Sequence, residues 1–185
     1  MLIVVEGKSD EEFLRQYLLY KKIDISFKII QNGGNGLNDE TIRQIQRKLD
    51  DGEKVCIIFD ADKSHNNTLN QLKKDLGNLS NEVDIFLFPN GKDNGELETL
   101  LTDIAKQPQF VKCFDNYVKC IESNDINIVD NIDKKSKMFA YREVVGLGKL
   151  LKKSPSKLLE TKEIFSQYFN FDSQELKPLW EFLCK

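Results

Sequence analysis

Two apolar runs, Leu2-Ile3-Val4-Val5 and Val55-Cys56-Ile57-Ile58-Phe59, each stop at an acidic residue, Glu6 and Asp60. Continuous β-branched runs of this length predict parallel strands buried on both faces that deliver a charge to solvent at their carboxyl ends. Residues 25–30 and 83–88 predict two more strands. Between the runs the apolar period lengthens. Phe13, Leu14, Tyr17 and Leu18 recur at helical spacing behind a Ser9 or Asp10 cap, with Glu11 and Glu12 in the first turn. Ile42, Ile45 and Leu49 mark a helix that begins near Asn38 or Asp39 and ends at Asp51-Gly52. Leu69, Leu72 and Leu76 mark a third, which Gly77 stops, and a fourth runs from Glu96 through Ile104 after a turn at 89–95.

Four strand-then-helix units predict an α/β fold with a four-stranded, mainly parallel sheet and right-handed crossovers. If the first strand lies between the second and third, the loops bearing Glu6 and Asp60 flank the switch point where open α/β sheets hold ligands. Past Pro108 helical patterns dominate, at 110–121, 138–151, 164–169 and 176–183. The reading is an α/β domain over 1–107 with a helical section, 108–185, packed on it. Residues 122–136 read as a flexible loop, and 152–156 as a second junction.

A chain of 185 residues suits one domain with a helical appendage. Its formal net charge of -3 argues against broad coating of nucleic acid, although a local basic rim would not show in the total. Cys56, Cys113, Cys120 and Cys184 form no Cys-x-x-Cys pair, and His65 is the only histidine, so a structural zinc site lacks its usual spacing. With no signal peptide and no apolar run near the roughly 20 residues that span a bilayer, a cytoplasmic protein without membrane contact is expected.

The candidate chemistry gathers at the acids. Asp60 and Asp62 point the same way if their strand continues, and Glu6 adds a third oxygen ligand or a base. This reads as a Mg2+ site, with Mn2+ as a substitute. Asp10 either joins it or only caps its helix. Glu96 and Glu98 enter the same sheet edge and either supply a second metal or meet the helix dipole. Lys8, Lys63 and Lys92 are placed to touch phosphates, with ordinary surface lysine as the plainer account. Residues 32–36, Asn-Gly-Gly-Asn-Gly, lack the Gly-Lys-Ser/Thr of a Walker loop and read as a tight turn. Phe165, Tyr168, Phe169, Phe171 and Trp180 offer stacking surfaces, but their spacing among leucines fits a core.

Val5-Glu6-Gly7 with Asp10, followed by the run into Asp60-Ala61-Asp62, resembles the toprim domain of topoisomerases, primases, recombination proteins and several nucleases. The stretch 88–98, the segment 133–141 and the ending 171–183 resemble small stand-alone toprim proteins allied to the OLD (overcoming lysogenization defect) nucleases. The resemblance implies a toprim (Rossmann-like) sheet, metal on Asp60 and Asp62, Glu6 as general acid or base, Glu98 at a second metal, and Lys135 (or Lys134) reaching over the site. It implies a Mg2+-dependent nuclease acting on DNA or RNA. Two alternatives stay open: a noncatalytic metal- or nucleic-acid-binding module working with a separately encoded ATPase, and a ribonuclease that matures ribosomal RNA.

Overall fold

The computed structural model describes residues 1–22, 26–123, 134–153 and 163–185. Four strands, β1 (Leu2–Val5), β2 (Lys28–Gln31), β3 (Val55–Asp60) and β4 (Asp84–Phe88), form one all-parallel sheet in the order β2-β1-β3-β4. The helices α1 (Lys8–Tyr20), α2 (Asp39–Asp50), α3 (His65–Leu76) and α4 (Leu97–Asp103) alternate with them. The architecture is α/β with a Rossmann-like arrangement, as the period changes predict. β2 begins at Lys28 rather than Ile25, which lies outside the described residues, and β4 begins one residue later than the apolar run.

Alternation along the strands sorts the core into two layers. Ile3, Val5, Cys56, Ile58, Phe86 and Phe88 face α1, α4 and the C-terminal residues. Leu2, Val4, Val55, Ile57, Phe59 and Leu87 face α2 and α3. β3 is buried along its whole length, because helices cover both faces of a central parallel strand. Each Ile or Val so buried contributes about 1.5–3 kcal/mol.

The C-terminal section comprises α5 (Pro108–Glu122), α6 (Lys134–Val144), α7 (Leu147–Lys153) and α8 (Lys177–Leu183). The pattern over 138–151 predicts one helix, but Gly146 takes a φ of 86° and divides it. The stretch 164–169 holds only a 3₁₀ turn, Phe165–Gln167, where a helix was expected. The backbone at its far end explains this: Phe169 forms an antiparallel bridge with Ala105, the Tyr168 carbonyl accepting the Lys106 N–H (3.0 Å) and the Asn170 N–H donating to the Ile104 carbonyl (2.7 Å), while the buried Gln16 Oε1 caps the turn by accepting from the N–H groups of Ile164 (2.7 Å) and Phe165 (3.1 Å). Of the loop predicted at 122–136, residues 124–133 lie outside the described residues, and 134–136 open α6 instead. At the expected junction 152–156, α7 extends to Lys153 and the remainder lies outside the described residues.

Phe165, Phe169 and Phe171 are buried, as a core reading of those aromatics requires. Phe171 meets Phe13, Tyr17 and Tyr20 edge to face, with centroids 5.4–5.9 Å apart. The end of the chain therefore completes the core against α1. All four cysteines are free thiols. Among the described residues, no helix is long and apolar enough to cross a membrane.

Candidate functional site

An all-parallel sheet sends its carboxyl ends to one rim, and here both central strands end in acids. Glu6 follows β1 directly and Asp60 closes β3. A cavity of about 280 Å³ opens between them, bounded by Asp10 and Lys8 of α1, Glu98 of α4, Lys135 of α6 and the glycines at 33 and 34. Acids from four separate elements or their ends thus share one space.

Asp10 does both things its position allows. It sits at the third residue of α1, where its Oδ2 accepts the Gly7 N–H at 2.9 Å, and the carboxylate as a whole is buried at the cavity. A carboxylate has two oxygens, so capping with one leaves the other. Asp60 is held similarly, its Oδ1 accepting the Leu97 N–H at 2.7 Å where α4 begins. Glu98 is buried one residue further on. Glu6 is half-buried, and among the described residues its Oε2 is buried without a hydrogen-bond partner.

The electrostatics follow from this crowding. Burial pushes the Asp60 carboxyl up to about 8, aided by the charges of Asp10, Glu6 and Glu98 and opposed by the Leu97 N–H. Asp10 is pushed up to about 6, first by burial and then by Glu98, against the Gly7 hydrogen bond. Glu6 is raised by burial, Asp10 and Asp62, with Lys135 opposing. Burial works against the charge on Lys135, but Glu98, Asp60, Glu96 and Glu6 together lift its ammonium above the ordinary lysine range. Lys134, the alternative register, instead donates to the Thr99 hydroxyl at 2.9 Å.

Asp62 does not lie alongside Asp60. β3 ends at Asp60, the Ala61 N–H turns to the Phe88 carbonyl (3.1 Å), and Asp62 takes a φ of 52° while exchanging backbone hydrogen bonds with Gly95 at 2.8 and 2.9 Å. Its charge is felt at Glu6, but it does not line the cavity. Glu96 caps α4, does not line the cavity, and adds its charge at Lys135. Lys8 lines the cavity and lies 3.7 Å from Glu12, whereas the exposed Lys63 and Lys92 stand apart. His65 opens α3, its Nε2 3.1 Å from the Gly91 carbonyl.

Arg142 had no sequence signal. It lies seven residues, or two turns, beyond Lys135 on α6, and among the described residues its Nε and Nη2 are buried without hydrogen-bond partners. Burial lowers its pKa, while Glu12, Glu98 and Asp10 act to keep its charge. α6 therefore carries two cations whose charges act on these acids, Lys135 lining the cavity and Arg142 buried.

A family model described as Protein of unknown function (DUF3226) matches residues 1–185. The chain belongs to that family. A search of curated proteins returned no match, and neither did a search of solved structures.

In this DUF3226 chain, no group of three or more His, Cys, Asp or Glu side chains among the described residues is arranged as it stands to hold a metal ion. The donors are nonetheless all carboxylate oxygens, the type hard cations take. Mg2+ commonly binds through one or two carboxylates, keeping waters and substrate phosphates as its other ligands, so a complete protein cage is not a requirement. The cavity's carboxylates are of the type and number that this smaller demand needs, and the Glu6 Oε2 has no hydrogen-bond partner among the described residues.

Proposed function

We propose that this chain is a Mg2+-dependent enzyme that cleaves phosphodiester bonds in nucleic acid, DNA or RNA. The observation that carries the reading is the shared cavity: Glu6, Asp10, Asp60 and Glu98 crowd until burial and mutual repulsion raise Asp60 to about 8, with Lys135 facing them. Perturbed carboxyls beside a cation at the switch point of a parallel sheet are an expected signature of a reacting site. The toprim resemblance of Glu6 and Asp60 points the same way.

Asp60 would hold the cation, with Mn2+ able to replace Mg2+, and Asp10 and Glu98 are the donors for a second ion. When bound, the metal supplies charge neutralisation at the phosphate and a lowered pKa for a coordinated water. The chain's own groups divide the remaining work. Glu6, whose carboxyl is raised, is the residue suited to carry a proton to or from the reacting oxygens. Lys135 offers its ammonium to the charge that builds on the phosphoryl oxygens, and Lys8 steadies the neighbouring phosphate. The Asp60–Leu97 hydrogen bond keeps one oxygen occupied and so orients the other. Four free thiols fit a reducing, cytoplasmic setting.

The test is a Mg2+ and Mn2+ titration of cleavage over single-stranded, duplex and structured substrates. Asp60→Ala and Glu6→Ala are each expected to lose at least about 100-fold in rate. Purified protein that cleaves nothing, or an Asp60→Ala variant that cuts like the parent, would sink the reading. A second reading, a noncatalytic module serving a separate ATPase, is favoured by Lys135 and buried Arg142, whose charges already offset the acids. It predicts that Glu6→Ala abolishes binding where no turnover exists to lose. Cleavage restricted to structured RNA would mark the ribosomal-RNA-maturing variety.

A further inference from the structure

α5 is an amphipathic helix that does not bury its apolar stripe. Phe110, Val111, Phe114, Tyr117, Val118 and Ile121 follow helical spacing, yet Val111 alone of the helix is buried. Tyr117 is 57% exposed and Phe110 36%. The rings of Phe114 and Tyr117 lie 6.1 Å apart and tilted by 52°, which gives an open aromatic pair at the surface.

Beside that pair, a groove of about 390 Å³ runs between α5 and α6. Phe114 and Val118 form its apolar wall, and Lys119, Lys134 and Lys137 line it, together with Asp115 and Glu122. Lys137 pairs with Asp115 at 2.6 Å, a partly exposed contact of the kind worth about 1 kcal/mol or less and exchangeable for a phosphate. The groove lining carries three basic residues against two acidic, in a chain whose total charge is -3. The groove and the acidic cavity share α6 as a wall. Lys135, which lines the cavity, stands in the same helical turn as Lys134 and Lys137, which line the groove.

We propose that the α5–α6 face is a single-strand nucleic-acid track, on which unpaired bases stack against Tyr117 and Phe114 while Lys119, Lys134 and Lys137 follow the phosphates. Basic side chains interleaved with open aromatic rings are how sequence-tolerant single-strand binders work, and a duplex hides the base faces that such rings need. A partner protein docking on the same apolar stripe would not call for the lysines. The strand's destination, a phosphate delivered past Lys135 into the acidic cavity, rests on the reading above; binding to the track does not.

The experiment is fluorescence anisotropy of labelled single-stranded and duplex oligonucleotides of equal length, in Ca2+, over a range of salt. Single strands are expected to bind more tightly than duplex. Tyr117→Ala should weaken single-strand binding by about fivefold or more, the effect of losing one stacked base, with unchanged circular dichroism and melting. Lys119→Glu should weaken it and flatten its salt dependence. Duplex binding as tight as single-strand binding, or Tyr117→Ala binding like the parent, overturns the proposal. So does a dimer in sedimentation that Tyr117→Ala disrupts while no oligonucleotide binds, because the face then belongs to a second copy of the chain. Tyr117-dependent binding without any cleavage would leave the track standing and remove the enzyme; cleavage indifferent to Tyr117 would do the reverse.

Discussion

Asp60 is asked to keep a carboxylate where burial and three neighbouring acids oppose it. In the folded chain it holds its proton to about pH 8, whereas an unfolded aspartate sheds it near about pH 4. Between those values the folded state carries a proton that the unfolded state has lost, so the stability present below about pH 4 drains away as pH rises to about 8. Asp10 adds the same trend from about 4 to about 6. Asp60→Asn keeps an oxygen for the Leu97 N–H but carries no charge. Without divalent ions it is expected to melt above the parent near pH 9, by an amount worth about 2–5 kcal/mol, with the gap closing toward pH 5. Thermal melts across that range check this, and equal melting at pH 9 would refute it. At this scale the acids were readable because each ends an apolar run. Asp62 misled because a period of two was carried past Ala61, where the chain already turns toward Phe88. Arg142 was not readable at all, since the acids that make it notable, Glu12, Asp10 and Glu98, come from α1 and α4.

Among the elements, the loop after β3 and the loop after β4 are clamped together by the backbone pair between Asp62 and Gly95. Gly95 has a φ of 143°, and a Cβ there would stand 2.9 Å from the Thr99 hydroxyl and 3.1 Å from Pro89. Gly95→Ala is therefore expected to cost about 1–3 kcal/mol by chemical denaturation. A variant as stable as the parent would show that the clamp bears no strain. The helices around the sheet were legible because caps and stops agree with periodicity, as at Asn38, whose side chain accepts the Thr41 N–H, and at Gly77. The 3₁₀ turn at Phe165–Gln167 was not, because the backbone of Ala105, far away in sequence, pairs with Phe169 and draws the chain out of helical geometry.

Across the whole molecule, α1 belongs to both halves of the chain. It brings Asp10 to the cavity at one end and receives the C-terminal aromatics along its length, and Lys21 at its far end lies 5.3–5.8 Å from the Tyr17, Tyr20 and Trp180 rings and 3.2 Å from Asp172. Phe171→Ala should cost about 3–5 kcal/mol and lower a single melting transition of the entire chain. Two separate transitions would mean that the C-terminal section unfolds on its own. The strand register carries one more implication. Val5 stands opposite Ile58 in the ladder, and Phe59 and Asp60 point to opposite layers. A slip of β3 by a single residue would drive the aspartate into oil and bring a phenylalanine to the rim. Such a misthreaded molecule would lose its interior and its acids together, so the well-folded population is, by construction, the population equipped with them.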